Sequence, residues 1–130
     1  VVKKMRAEST RAGKLGEKLV NDMLTSTLAY HEIVWTRTRG PTNQAFDFEI
    51  YLCGRCVCLL EVKAFAPGRK WNWTQFKRPA IRRKVKRAET LHCQRVCTVV
   101  VKLDTGEMRY AEGFPSQPFD SFQPIEGLIN

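Results

Sequence analysis

Acidic residues are in short supply in this chain. Thirteen Asp and Glu stand against 22 Lys and Arg, which leaves a formal charge of +9 at neutral pH. Such a surface repels cationic partners and points to a polyanion, either nucleic acid or an anionic membrane. Long apolar runs are missing as well. No uninterrupted stretch reaches the roughly 18 residues that a membrane span needs, and the basic N-terminus has no apolar segment of the signal-peptide kind. A cytoplasmic protein with no membrane partner is the expectation. Histidine is represented only by His31 and His92, each isolated from any obvious nucleophile, so a histidine general base is not expected. No segment repeats, which excludes a solenoid. Cysteine is the exception to this thrift. There are five, an odd number with Cys53, Cys56 and Cys58 crowded together, and free thiols in a reducing intracellular setting account for them.

At 130 residues and 43% hydrophobic content, the chain reads as one globular domain with a full core and little room for a second module. Residues 7–30 form a helix on periodicity, because Leu15, Leu19, Met23, Leu24 and Leu28 recur at helical spacing; Ser9 or Thr10 suits its cap. Glu17 falls at the flank of that stripe, where its carboxylate can overlook a sheet edge. A strand follows over 32–36, then a polar turn over 38–43. Pro79 marks the first turn of a second helix that runs to about Thr90, a start nearer Thr74 being the alternative. Ile81, Val85 and Ala88 give that helix a narrow apolar stripe. Residues 96–103 read as a buried strand, 108–111 as a shorter one, with Asp104-Thr105-Gly106 as their turn. The expected fold is α/β, a mixed central sheet flanked by helices, with its core over about 6–111. Residues 112–130, with Pro115, Pro118 and Pro124 among phenylalanines, are expected to form an irregular tail.

The most informative stretch lies between the helices. Phe46, Phe48, Ile50 and Leu52 alternate with Asp47 and Glu49, which gives a strand with one apolar face. Residues 57–63 are dense in apolar and β-branched side chains and read as a largely buried strand. Its Glu61 and Lys63 share one face while Leu60 and Val62 take the other. Cys53-Gly54-Arg55 between them suits a hairpin. Folding that hairpin sets Asp47 opposite the Glu61 and Lys63 end, close enough for two carboxylates to share a divalent cation. Mg²⁺ takes hard oxygen ligands and keeps several waters, so one or two carboxylates plus a substrate phosphate suffice. A bound metal acidifies water and neutralises the charge that builds on a phosphate under attack. Lys63, beside carboxylates, is expected to stay charged and to do electrostatic and positioning work.

The placement of positive charge favours a nucleic acid. Lys77, Arg78, Arg82, Arg83, Lys84, Lys86 and Arg87 put seven cations into eleven residues with no acid among them. Lys3, Lys4, Arg6, Arg11 and Lys14 form a second group. Both groups are candidates for gripping phosphate backbones, with the steep salt dependence that counter-ion release brings. Trp71, Trp73 and Phe76 either stack on splayed bases or wedge a junction, or they anchor the helix to the core. Gln75 is placed on the phosphate path. A zinc site from Cys53, Cys56 and Cys58 with His92, Cys93 or Cys97 is conceivable. Cys56 and Cys58, however, alternate into the face of Leu60 and Val62, and Cys97 opens a buried strand, so core thiols are expected.

Asp47, the Glu61-Val62-Lys63 step and Glu17 on the leading helix together resemble the PD-(D/E)XK nuclease superfamily, the restriction-endonuclease-like fold, over about residues 6–111. Within it, the short chain, the Gly16-Glu17 helix and the Thr/Arg/Gly-rich turn before Asp47 are most similar to archaeal-type Holliday junction resolvases. Two positions depart from the pattern. Phe46 stands where the superfamily's name has proline, and Thr36, Thr38 and Thr42 occupy the region in which the resolvases carry serine. The resemblance implies a metal-dependent DNA endonuclease. Glu17, Asp47 and Glu61 would hold one or two Mg²⁺, with Mn²⁺ able to substitute and the Val62 carbonyl as a further ligand; Lys63 would orient the attacking water. It also implies a homodimer acting on branched DNA, with Arg37, Thr38 and Arg39 joining the DNA-facing residues. A phage or viral member would fit so compact a chain, and would work in the host cytoplasm. The alternatives are the same chemistry on flaps, ends or single strands, and a basic nucleic-acid-binding module without catalysis.

Overall fold

The computed structural model describes residues 2–39, 45–66, 68 and 78–129, with the side chains of 2–10, 39 and 129 excepted. Helix α1 (Val2–Thr27) leads into β1 (Glu32–Trp35), a 3₁₀ turn (Thr36–Arg39), β2 (Phe48–Leu52) and β3 (Arg55–Phe65). Helix α2 (Arg78–Thr90) then carries the chain to β4 (Val96–Lys102) and β5 (Glu107–Glu112). A second 3₁₀ turn (Phe119–Ser121), β6 (Gln123–Pro124) and α3 (Glu126–Ile129) complete it. The strands form one six-stranded sheet in sequence order. Neighbours are antiparallel except β3 and β4, and a parallel pair requires the long crossover in which α2 lies. The class is therefore α/β, with a mixed sheet between helices.

Each face of the sheet has its own helix. Val20 and Leu24 of α1 pack on Phe48, Ile50, Leu60, Val62 and Val99. Ala88 of α2 packs on Phe46, Leu59 and Cys93 on the other side. The buried face of α1 runs through Gly16, Glu17, Val20 and Leu24, whereas Leu15 is 48% exposed. Leu19, Met23, Leu24 and Leu28 meet the core as their spacing predicts, so only the N-terminal end of the stripe departs, where Glu17 lies inside the interface rather than on its flank. Gly16 permits this close approach: a Cβ there would stand 2.6 Å from the Ala64 Cβ on β3, so the helix sits this low only on a glycine. Helix α2 is rotated from its expected stripe. Lys84 and Ala88 face inward and Val85 is 46% exposed, which corrects the stripe through Ile81, Val85 and Ala88.

Two local irregularities re-aim side chains around the hairpin. Its turn is Cys53-Gly54, at φ of 52° and 78°, the positive pair that a tight type I′ connection uses. The register passes from Ile50↔Cys58 to Tyr51↔Cys56, so Val57 is an extra residue on β3. This bulge moves Cys56 to the α2 side with Cys93, while Cys58 stays on the α1 side. Strict alternation would put both thiols on one face; the bulge separates them. A bend at Asp47 likewise takes Phe46 off the face of Phe48 and Ile50. It packs under α2 and stacks on Phe114, with ring centroids 6.4 Å apart.

The tail is more ordered than its prolines suggest. Phe122 and Phe119 pack on Val100 and Ala111, β6 pairs with β5, and Leu128 joins the α1-side core. Residues 112–129 therefore belong to the folded body. Among the described residues, no helix is long and apolar enough to cross a membrane.

Candidate active site

The site forms where β2 stops pairing with β3. Their ladder ends at Phe48↔Leu60. The Asp47 N–H still donates to the Leu60 carbonyl at 3.0 Å. One step further a side chain replaces the strand, and the Val62 N–H donates to Asp47 Oδ2 at 2.8 Å. The bend is pinned from the β1 side. The Thr36 N–H donates to the Asp47 carbonyl at 3.0 Å, and the Thr36 hydroxyl donates to the Phe46 carbonyl at 2.6 Å. N–H and C=O of one strand residue point to the same side, so the Val62 carbonyl also opens towards Asp47.

Two further carboxylates border this gap from opposite layers. Glu61, buried on the α2 face, has Oε2 2.9 Å from Lys84 Nζ and Oε1 3.5 Å from Lys63 Nζ. Lys84 also donates to the Ala45 carbonyl, and its Nζ lies 5.3 Å from the centroid of the Phe46 ring. Glu17, only 3% exposed, arrives from α1. Trp35 Nε1 donates to its Oε1 at 2.8 Å, and the Arg37 guanidinium forks across both oxygens, with Nε 3.0 Å from Oε1. Asp47 lies between the two. Its pKa is raised from the ordinary 3.8 to about 7, first by burial and then by the charge of Glu61; Glu17 adds to the rise, while the Val62 hydrogen bond and Lys84 oppose it. Crowded carboxylates of this kind resist simultaneous ionisation unless a cation joins them.

Among the described residues, no three His, Cys, Asp or Glu side chains close into one metal-binding group. The donor chemistry at the gap still suits a hard cation. Asp47, Glu61 and the Val62 carbonyl are oxygen donors, and burial, then the charge of Glu61, raise the pKa of Asp47, so a bound cation would favour its ionised form. Glu17 fits less well, because Trp35 and Arg37 hold both of its oxygens in hydrogen bonds, whereas Glu61 Oε1 meets, among the described residues, only Lys63, at 3.5 Å. It acts on Asp47 as a charge at a distance.

Three cations expected on the DNA-facing surface are paired with buried carboxylates. Lys84 holds Glu61, Arg37 holds Glu17, and Arg87 holds Glu49 with Nη2 3.0 Å from Oε2. The Tyr51 hydroxyl donates to Glu49 as well, at 2.7 Å. The reason is common to all three: a carboxylate removed from water is costly unless paired. Arg37 and Arg87 keep side chains 44% and 39% exposed, but Lys84 keeps only 11%, so Lys84 belongs to the site and not to the outer surface. Its place three residues after Ile81 and four before Ala88 is the signal that marks it as inward-facing. Arg11, Lys14, Arg78, Arg82, Arg83 and Lys86 are exposed as expected. Thr38 is exposed too, with its hydroxyl donating to the Trp35 carbonyl at 2.7 Å. Trp71, Trp73, Gln75, Phe76 and Lys77 lie outside the described residues, as do the side chains of Lys3, Lys4, Arg6 and Arg39.

Compared with known proteins, the chain matches no family model and no curated protein sequence. What it does must be argued from the site.

Proposed function

We propose that this protein is a Mg²⁺-dependent DNA endonuclease of the PD-(D/E)XK type, acting on branched DNA and on four-way junctions first. The observation that carries the reading is the gap at the end of β2. There Asp47 is held by the Val62 N–H and raised in pKa beside Glu61, with Lys63 3.5 Å from Glu61. The element order supports it further: a helix, three antiparallel strands, a crossover helix, and a strand parallel to the third.

Asp47, Glu61 and the Val62 carbonyl would hold the cation, and Glu17 would bias Asp47 towards needing one. When bound, Mg²⁺ supplies an acidified water and neutralises charge on the phosphate under attack. Lys63 stands beside these oxygens as a fixed positive charge that orients the water and stabilises the phosphate in the transition state. The exposed cations of α1 and α2 grip flanking backbones, contacts that fix register without reading bases. A preference for DNA shape over sequence follows from that mode of binding, and a symmetric homodimer would present two such sites to two strands.

A second reading draws on the same ion pairs. Glu17 and Glu61 are already neutralised within the chain, as a basic binding module without catalysis would have them. Incubation with a synthetic four-way junction, a plain duplex, a flap and a single strand, in Mg²⁺ or EDTA, separates the two. Cleavage that needs Mg²⁺ and disappears in Asp47→Asn and Lys63→Met is expected. Binding without cleavage under every condition would establish the module, and equal cutting of duplex and junction would remove the junction preference.

A further inference from the structure

The Lys84 ammonium stands where a cation is wanted. It is a long charged side chain on the inward arc of α2, 9% exposed, with Nζ 2.9 Å from Glu61 Oε2. A buried lysine of this kind is stabilised only by the anion it faces. Its remaining partners, the Ala45 carbonyl and the face of the Phe46 ring, satisfy an ammonium without neutralising it. Glu61 therefore has one oxygen on Lys63 and the other on Lys84.

We propose that Lys84 is a resident counter-ion of the acidic site, which holds Glu61 in the metal-free protein and releases it when a divalent cation binds. The inference rests on the functional reading above and adds a competition to it. Ammonium and divalent cation claim the same carboxylate oxygen and repel one another across a few ångströms of poorly hydrated space. Lys84 thus weakens metal binding and keeps the carboxylates from standing bare while the site waits. After release, the Ala45 carbonyl and the Phe46 ring retain the ammonium beside the gap, as a positive charge next to the incoming phosphate.

The test titrates Mn²⁺ alone into the full chain by calorimetry, for the unaltered protein, Lys84→Met and Lys84→Arg. Lys84→Met is expected to bind Mn²⁺ at least tenfold more tightly, a gain of about 1.4 kcal/mol. Lys84→Arg, which keeps the charge, should stay within roughly threefold of the unaltered chain. Equal or weaker binding by Lys84→Met overturns the proposal and leaves the metal reading standing. Absence of binding in all three removes the metal reading and the counter-ion role together. Should Lys84→Met fail to fold by circular dichroism, lysine-selective ¹⁵N NMR of the unaltered chain decides. The Lys84 Nζ resonance, assigned by its loss in Lys84→Arg, must shift as Mg²⁺ saturates the site, and a resonance that does not move overturns the inference.

Discussion

Replacing Asp47 by asparagine should stabilise the metal-free protein while abolishing the proposed nuclease activity. The side chain keeps its shape, and an amide oxygen can still accept the Val62 N–H. What it loses is a charge that the fold resists. Asp47 has its pKa raised from 3.8 to about 7, chiefly by burial and by Glu61, so the folded state binds the proton more tightly than the unfolded chain does. Its contribution to stability is then fully present below about pH 4 and is lost as pH climbs through 7. A rise of that size corresponds to a ceiling of roughly 4 kcal/mol. Relaxation and water at the half-buried carboxylate lower this, and roughly 1–3 kcal/mol is the expected gain for Asp47→Asn at pH 8. In thermal melts with EDTA this appears as a difference in Tm near zero at pH 4 that grows to roughly 5–10 °C at pH 8. Added Mg²⁺ should narrow the gap by raising the melting temperature of the aspartate form alone. A Tm difference independent of pH, or an asparagine variant less stable at pH 8, would refute the claim that the fold resists a charge at this point.

Other substitutions test the scaffold and the surface. Gly16→Ala should destabilise by roughly 1–3 kcal/mol through overlap with Ala64, and Ala64→Gly in the same chain should recover part of it; strictly additive melts would deny that the two touch. Arg87→Met leaves Glu49 buried without its guanidinium and should cost roughly 2–3 kcal/mol in urea unfolding, after allowance for the exposed part of the arginine. Adding Glu49→Gln should restore most of that loss. Arg82→Ala and Arg83→Ala should each reduce the log–log salt slope of DNA binding by about 0.9. In EDTA, Lys84→Met should leave that slope unchanged, because its charge faces Glu61.

The first five strands and both long helices were legible because their signals are local. Alternation around Phe48 and Ile50, the Asp104-Thr105-Gly106 turn and Pro79 at the start of α2 each report on a few neighbouring residues. Asp47, Glu61 and Lys63 were legible for the same reason, since a hairpin folds by short-range pairing. What escaped depends on contacts between layers. The burial of Glu17 follows from how close Gly16 lets α1 come to Ala64, which no helical period encodes. The bend at Asp47 is made by Thr36, at the start of the 3₁₀ turn after β1, and it moves Phe46 to the opposite face. The bulge at Val57 parts Cys56 from Cys58 although their spacing is that of one face. Lys84 was hidden by composition, as one lysine in a run of cations whose common reading is an exposed grip. Trp35 and Arg37 as holders of Glu17, and β6 with its two residues and a proline, carry no periodic signal at all.

The net charge of +9 understates how unevenly charge is arranged. Arg37, Lys63, Lys84, Arg87, Arg95 and Arg109 are each ion-paired, with Glu17, Glu61, Glu49, Glu112 or Glu107. Among the described residues, Arg11, Lys14, Arg78, Arg82, Arg83 and Lys86 of α1 and α2 are exposed, while Glu17, Asp47 and Glu61 gather at the end of β2. A polyanion drawn to such a surface would meet, at Asp47, a carboxylate whose charge the fold already resists. On the proposed reading a divalent cation resolves that conflict, since it is attracted by the carboxylates and attracts the phosphate in turn. Metal and DNA binding are then linked by thermodynamic necessity, and each must tighten the other by the same factor. The basic surface alone would hold DNA without metal, but it would hold it loosely at the one place where the backbone must come close.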